Sequence, residues 1–202
     1  MYRKQLNKDK VMKALIKSQG VYTIEQKKNV CLQLCASIMS QQLSTKVATV
    51  IYNRFLNLFK SKSPKPAAIL QVPHETLRSI GLSNAKAVYV KNVCNFFIEH
   101  RLTDARLYKM SNEEILSLLT QIKGVGQWTV EMLLMFTLAR PDVFATGDLG
   151  LQKAIIKLYN VEYSNSKELF EKMNVIAGNW SPYRTYACRY LWRALDATLI
   201  PM

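Results

Sequence analysis

Apolar residues recur along this chain at three- and four-residue spacing, which is typical of amphipathic helices. The spacing predicts seven helices, over residues 30–39, 47–59, 85–98, 115–122, 128–138, 149–158 and 183–195. Proline or glycine interrupts the pattern between them, as at Gly81, Gly147 and Pro182. No stretch has the alternation of paired strands, so the pattern predicts an all-α fold.

The segment before the fifth helix carries the signals of a tight turn. Ser111 and Glu114 match a capping box, so a helix begins there and runs toward the turn. Gly124 and Gly126, on either side of Val125, allow positive φ and remove side chains that would keep a ligand from the backbone. The turn is therefore expected to lie against another molecule.

The helix after this turn begins at Gln127. The unpaired amides of its first turn, with the helix dipole behind them, favour an anion such as a phosphate. Residues 128–138 are apolar nearly all round, so this helix is expected to be buried and central. The predicted phosphate-binding residues are Gly124, Val125, Gly126, Gln127 and Thr129.

Charge favours a polyanionic partner. The 202 residues include 28 Lys or Arg and 14 Asp or Glu, a net charge of +14, with a pI near 9.7. Nucleic acid fits this balance better than an anionic membrane surface. Residues 1–65 hold 13 of the basic residues against only Asp9 and Glu25, so one lobe is expected to carry much of the positive field.

The sequence indicates neither a membrane-spanning segment nor a framework of disulfide bonds. No apolar run reaches the ~18 residues of a membrane span, and the first residues lack the apolar core of a secretory signal, so a soluble intracellular protein is expected. Cys31, Cys35, Cys94 and Cys188 form no Cys-x-x-Cys pair and lie in apolar helical patterns. We expect buried, reduced thiols.

Residues 120–150 resemble the helix-hairpin-helix motif of a DNA glycosylase superfamily, in which the hairpin is followed by one helix, a Gly/Pro-rich loop and an essential aspartate. The loop here is 140–148, and the match places Asp148, not Asp142, at the catalytic position. Gly-x-Gly-x-Trp-Thr and the Asp-Val-Phe approach are most similar to the DNA-3-methyladenine glycosylase II type. The resemblance covers roughly residues 30 to 195.

The resemblance implies a fold of two helical lobes with a DNA-binding cleft between them. Residues 1–202 would form a single glycosylase unit. Its lobes would be 30–110, with a wedge loop, and 111–180, with the hairpin and the aspartate. Residues 1–29 and 181–202 would pack back on the first lobe.

The resemblance also implies roles for individual residues. Asp148 would stabilise positive charge on the sugar or align the attacking water, while also capping the next helix. Trp128 stands where lyase-competent relatives place a lysine nucleophile, which implies a monofunctional enzyme. Trp128, Trp192 and Met132 would line the base pocket, with Trp128 stacking on a cationic base. Met132 replaces a tyrosine of some relatives.

Two further features follow from the same resemblance. Gln42, or alternatively Leu43, would be the wedge that fills the gap left by a flipped nucleotide. Backbone carbonyls of Thr120, Ile122 and Val125 would hold a monovalent cation, Na⁺ or K⁺. No cofactor would be required, and the closely spaced C-terminal cysteines of iron–sulfur relatives are missing from this sequence.

The sequence therefore predicts a monofunctional DNA glycosylase of base excision repair that acts on alkylated purines such as 3-methyladenine and 7-methylguanine. Its partner would be double-stranded DNA containing alkylated bases, with no membrane, and we expect a monomer. It would be DNA-associated, in the cytoplasm and nucleoid of a bacterium or the nucleus of a eukaryote. Two alternatives stay open: a non-catalytic helix-hairpin-helix DNA-binding module, and a glycosylase with lyase activity.

Overall fold

The computed structural model describes the backbone of residues 1–199 and the side chains of residues 1–195. Its helices are α1 (Tyr2–Leu6), α2 (Lys10–Gln19), α3 (Val30–Ser40), α4 (Thr45–Leu56), α5 (Pro66–Leu70), α6 (His74–Ser79), α7 (Asn84–Glu99), α8 (Asp104–Lys109), α9 (Asn112–Leu119), α10 (Gln127–Phe136), α11 (Leu149–Tyr159), α12 (Ser166–Gly178) and α13 (Arg184–Leu199). No strand occurs in residues 1–199, which confirms the all-α fold class. No helix in that range is long and apolar enough to cross a membrane.

One compact unit comprises Glu25–Leu138. Helix α3 packs against α4, α7 and α10, and α7 also packs against α5 and α6. Fully buried Leu34 and Ile38 of α3 and Val90 and Val93 of α7 form the centre of this core. Asp104 accepts hydrogen bonds from the backbone of Asn29 and Val30, which ties the start of α3 to α8.

The other unit combines Met1–Ile24 with the chain from Ala139 onward. Helix α13 packs against α2 and α11, with Trp180 and Tyr190 fully buried. The Trp180 indole N–H and the Tyr159 hydroxyl both donate to Asp9, at 2.9 and 2.8 Å. Asp9 is the N-cap of α2, so these two hydrogen bonds hold its carboxylate within this unit.

These units differ from the predicted lobes. The division falls at 24/25 and 138/139 rather than at 110/111, and the first residues group with the chain after Ala139 rather than with 30–110. The reason lies in α10, which buries Val130, Leu133 and Leu134 and packs on α3 and α9. The hairpin therefore belongs to the same unit as the predicted wedge loop, and Asp148 belongs to the other.

The positive charge is divided evenly, so the expectation of one strongly basic lobe was wrong. Each unit contains 14 Lys or Arg and seven Asp or Glu, so each has a formal net charge of 14 minus 7, which is +7. The basic N-terminal third is split between the two units at Ile24, and acidic residues after position 65 offset the surplus in each.

Candidate functional site

The predicted turn joins α9 to α10. Its approach helix carries the complete capping box, in which the Ser111 amide donates to Glu114 at 2.6 Å and the Glu114 amide donates to the Ser111 hydroxyl at 3.1 Å. Helix α9 ends at Leu119, and the Val125 amide then donates to the Ile122 carbonyl at 2.9 Å. The chain reverses here as a hairpin between two helices.

The two glycines of the hairpin serve different purposes. Gly124 has φ +103°, and a Cβ there would overlap the ring of Tyr89 on α7, so both conformation and packing require glycine. Gly126 was also expected to permit positive φ, but its φ is −97°. A Cβ at Gly126 would meet no atom of the described residues within 4 Å. The space beside Gly126 is therefore open to an outside molecule.

Helix α10 starts without a side-chain cap, because its N-cap is Gly126. Phosphate binding was predicted for backbone amides, and the side chains of two of the predicted residues, Gln127 and Thr129, make contacts within the protein. Gln127 donates to Glu131 at 2.9 Å, and Thr129 is only 3% exposed and accepts from Gln41 at 3.3 Å. These contacts leave the prediction of a phosphate site at the backbone amides unchanged.

Asp148 lies at the N-cap of α11. Its Oδ1 accepts from the Leu151 amide and from the Trp192 indole N–H, each at 2.8 Å. The expected capping role is confirmed, and the same contacts fix the carboxylate. Trp192 was predicted as pocket wall; its bond to Asp148 is an interaction that sequence reasoning missed.

Gly150 makes this pairing sterically possible. A Cβ at that position would lie 3.1 Å from the Asp148 Oδ1 and 3.1 Å from Cδ1 of Trp192, tighter than ordinary contact. Sequence reasoning passed over Gly150, although a glycine in the first turn of a helix costs stability and usually has a packing reason.

The loop before Asp148 is fastened to the start of α13. Thr185 accepts from the Val143 amide at 3.1 Å and donates to the Arg140 carbonyl at 2.6 Å. Asp142 accepts two side-chain bonds from Arg184, at 2.7 and 2.9 Å. Burial alone would raise the pKa of Asp142, but the bonds from Arg184 outweigh burial and lower it. Asp142 thus connects the loop to the start of α13.

The predicted pocket residues of α10 lie on one face of that helix. Trp128 is 44% exposed and Met132, one turn later, is half-buried. Met132 and Phe136 line a groove of about 290 Å³ with Tyr52 of α4 and Ser37 of α3. Trp128 is not among the residues that line this groove, and a base pocket at Trp128 and Met132 stays a prediction.

The predicted wedge residues occupy the loop between α3 and α4. Gln42 is exposed and has φ +57°, the left-handed region that few residues other than glycine adopt. Leu43 follows and is 37% exposed. Both side chains are presented at the surface of Glu25–Leu138.

All four cysteines are buried free thiols. The sulfurs of Cys31, Cys35 and Cys94 lie within 4.8 Å of one another, a grouping that their spacing in sequence did not reveal. Cys188 belongs to the other unit and donates to the Val143 carbonyl. Burial raises the pKa of the Cys188 thiol, so this group remains neutral and unreactive.

The carbonyls expected to hold a cation surround the hairpin. Ile122 and Val125 are buried and Thr120 is the C-cap of α9. The Ile122 oxygen already accepts the Val125 amide, which leaves one lone pair for an ion. Carbonyl oxygens are ligands for hard cations, and a Na⁺ or K⁺ ion at Thr120, Ile122 and Val125 stays a prediction.

Residues 35–177 match the model of the HhH-GPD superfamily, described as base excision DNA repair proteins. The chain belongs to this superfamily. It is 35% identical over 190 residues to DNA-3-methyladenine glycosylase 1 of Schizosaccharomyces pombe. The matched region covers 92% of this chain and 82% of that protein. A Bacillus subtilis relative, YfjP, is 33% identical, but the match spans only 58% of its length.

Two solved structures are similar over nearly the whole chain. A DNA-3-methyladenine glycosidase from Bacillus halodurans has a TM-score of 0.82 and 35% identity, covering 98% of this chain and 89% of that one. The S. pombe 3-methyladenine DNA glycosylase Mag1, in complex with abasic DNA, has a TM-score of 0.86 and 30% identity, covering 100% and 99%. These matches confirm the resemblance stated from residues 120–150.

Proposed function

We propose that this HhH-GPD protein is a monofunctional DNA glycosylase that hydrolyses the N-glycosidic bond of alkylated purines in duplex DNA. The observation that carries the proposal is the carboxylate of Asp148, held by the Leu151 amide and the Trp192 indole after a helix-hairpin-helix turn. Relatives that share the fold and 30% or more of the sequence are named for 3-methyladenine.

The proposed chemistry is mainly electrostatic. As the base departs, positive charge develops at the anomeric carbon and ring oxygen of the sugar. A carboxylate fixed beforehand stabilises that charge without reorganising, and it aligns the attacking water. N3- or N7-alkylation already makes the purine a cationic leaving group, so a general acid at the base is less necessary than for a normal purine.

Trp128 supports the monofunctional assignment. A lyase needs an amine that attacks the sugar and forms a Schiff base, and the indole at this position of the hairpin motif has none to offer. The exposed ring can instead stack on a cationic base, with Met132 beside it on the same face. The product would be an abasic site in an intact strand.

Duplex DNA would be bound through backbone amides and net positive charge. The uncapped first turn of α10 and the open space beside Gly126 suit one phosphate, with a monovalent cation on the carbonyls of Thr120, Ile122 and Val125 adding to the grip. Gln42 and Leu43 would enter the duplex to replace the flipped nucleotide. The protein would act as a monomer.

Base release from methylated duplex DNA tests this proposal. The wild type should release 3-methyladenine, identified by chromatography, and leave the strand without nicks. Asp148→Asn should bind the same DNA but release no base, because asparagine keeps the cap of α11 and removes the charge. DNA binding without release by the wild type would favour a binding module, and a borohydride-trapped adduct would favour a lyase.

A further inference from the structure

Lys86 reaches from α7 to the loop that contains Gln42. Its ammonium group donates to the backbone carbonyl of Gln41 at 2.7 Å and to that of Met39 at 3.0 Å. Both carbonyls belong to the C-terminal end of α3, where a helix leaves oxygens without intrahelical partners. One side chain therefore binds two carbonyls of the last turn of α3, just before the exposed residues.

Gln41 is held from a second side as well. Its side-chain amide donates to the hydroxyl of Thr129 on α10 at 3.3 Å, so helices α7 and α10 both contact this one residue. The next residue, Gln42, takes φ +57°. Gln41, with φ −50° and ψ 131°, and Gln42 are the central residues of a type II turn that the Leu43 amide closes on the Ser40 carbonyl at 3.2 Å. The contacts to Gln41 hold this turn against α7 and α10.

The position of Lys86 carries electrostatic costs. It lies in the first turn of α7, where the helix dipole disfavours a positive charge. Partial burial also lowers the pKa of Lys86, because the ammonium loses hydration. Lys86 makes its two carbonyl contacts despite these costs, so local helix stability alone does not account for a lysine here.

We propose that Lys86 is a positioning residue for the wedge: by fixing the backbone at Gln41, it holds Gln42 and Leu43 in the conformation that enters the duplex. This inference rests on the proposed wedge role of those two residues. A preformed loop avoids the ordering cost that a flexible one would add to nucleotide flipping. Lys86 acts through the loop and does not touch the reacting sugar.

The test compares two duplexes that carry the same site-specific 7-methylguanine, one fully paired and one with the lesion in an unpaired bulge. Single-turnover excision by Lys86→Met should slow by about tenfold to a hundredfold on the paired duplex, the loss expected for hydrogen bonds from a charged group. On the bulged duplex, where the base is already unstacked, it should match the wild type. Lys86→Arg should restore most of the paired-duplex rate, because a guanidinium also donates to two carbonyls.

Lys91→Met is the matched control, since it removes the same charge from the same helix and should leave both rates unchanged. If Lys86→Met loses the same factor in excision rate on both duplexes, the inference fails, because the lysine would then serve folding or chemistry. If the salt slope of DNA binding by Lys86→Met falls by about one, the inference also fails, because the lysine would then contact a phosphate. Gln42→Ala and Leu43→Ala separate the two hypotheses. If neither slows the paired duplex selectively, the wedge role fails; if either does while Lys86→Met does not, only the role of Lys86 fails.

Discussion

Replacing Trp192 by phenylalanine would test how the carboxylate of Asp148 is held. The substitution keeps an aromatic ring on α13 and removes the indole N–H that Oδ1 accepts at 2.8 Å. The Leu151 amide, also 2.8 Å from Oδ1, remains, so α11 keeps its cap. Asp148 should stay at the start of α11 but lose the indole contact that helps to set the orientation of its carboxylate.

The size of the effect follows from that one bond. A hydrogen bond to a charged group contributes about 1.5–3 kcal/mol net. If the oriented carboxylate is needed mainly in the transition state, the excision rate falls by about ten- to a hundredfold, since about 1.4 kcal/mol corresponds to a factor of ten. DNA affinity should change little, because the hydrogen bond is internal to the protein.

Trp180→Phe provides the matched control. It removes an indole N–H that donates to a different aspartate, Asp9, at 2.9 Å within the same unit. That variant should melt at a lower temperature, because Trp180 is fully buried, yet excise base at the wild-type rate while folded. Single-turnover excision by Trp192→Phe within twofold of wild type, or faster, would refute the positioning role of Trp192.

Two other predictions concern the hairpin and the loop. Gly124→Ala should lower Tm strongly, because φ is +103° at this position and the new methyl group would meet Tyr89. Gly126→Ala should keep the wild-type Tm. It should weaken duplex binding, measured by fluorescence anisotropy, by about tenfold, because the methyl group would enter the space proposed for the phosphate. Equal binding by Gly126→Ala would argue against that anion site. The lowered pKa of Asp142 means that its bonds to Arg184 stabilise the fold above the ordinary pKa of 3.8, and that this stability is lost as pH falls through the lower folded value. In thermal melts, the Tm of the wild type should therefore exceed that of Asp142→Asn at pH 7, and the difference in Tm should narrow below pH 3.8. A difference in Tm that stays constant with pH would contradict this.

Local signals in the sequence accounted for the helices that border the site. The capping box at Ser111 placed the start of α9, and Asp148 was foreseen as the cap of α11, because both signals act over three residues. Helix α12, Ser166–Gly178, was not predicted, although Leu169, Met173 and Ala177 lie four residues apart and are buried. Its charged and polar residues outnumber that narrow apolar stripe, so the periodicity is weak.

Contacts between distant residues could not be predicted in the same way. Trp192 lies 44 residues from Asp148, and Gln41 lies 88 residues from Thr129, so neither pairing leaves a pattern in a short window of sequence. The division between units was missed for a related reason. Periodicity showed that the helix after the hairpin is buried, but only its packing on α3 and α9 decides which core it completes.

Asp142 and Asp148 show why residue type alone does not assign a role. They lie six residues apart around one loop, and each accepts a hydrogen bond from a side chain of α13. Arg184 offers Asp142 a guanidinium, which offsets the charge of the carboxylate as well as orienting it. Leu151 and Trp192 offer Asp148 uncharged N–H groups, which orient a carboxylate without cancelling its charge. A carboxylate that stabilises positive charge on a sugar must be held in place before the reaction, and the contacts from Leu151 and Trp192 hold the Asp148 carboxylate in that way.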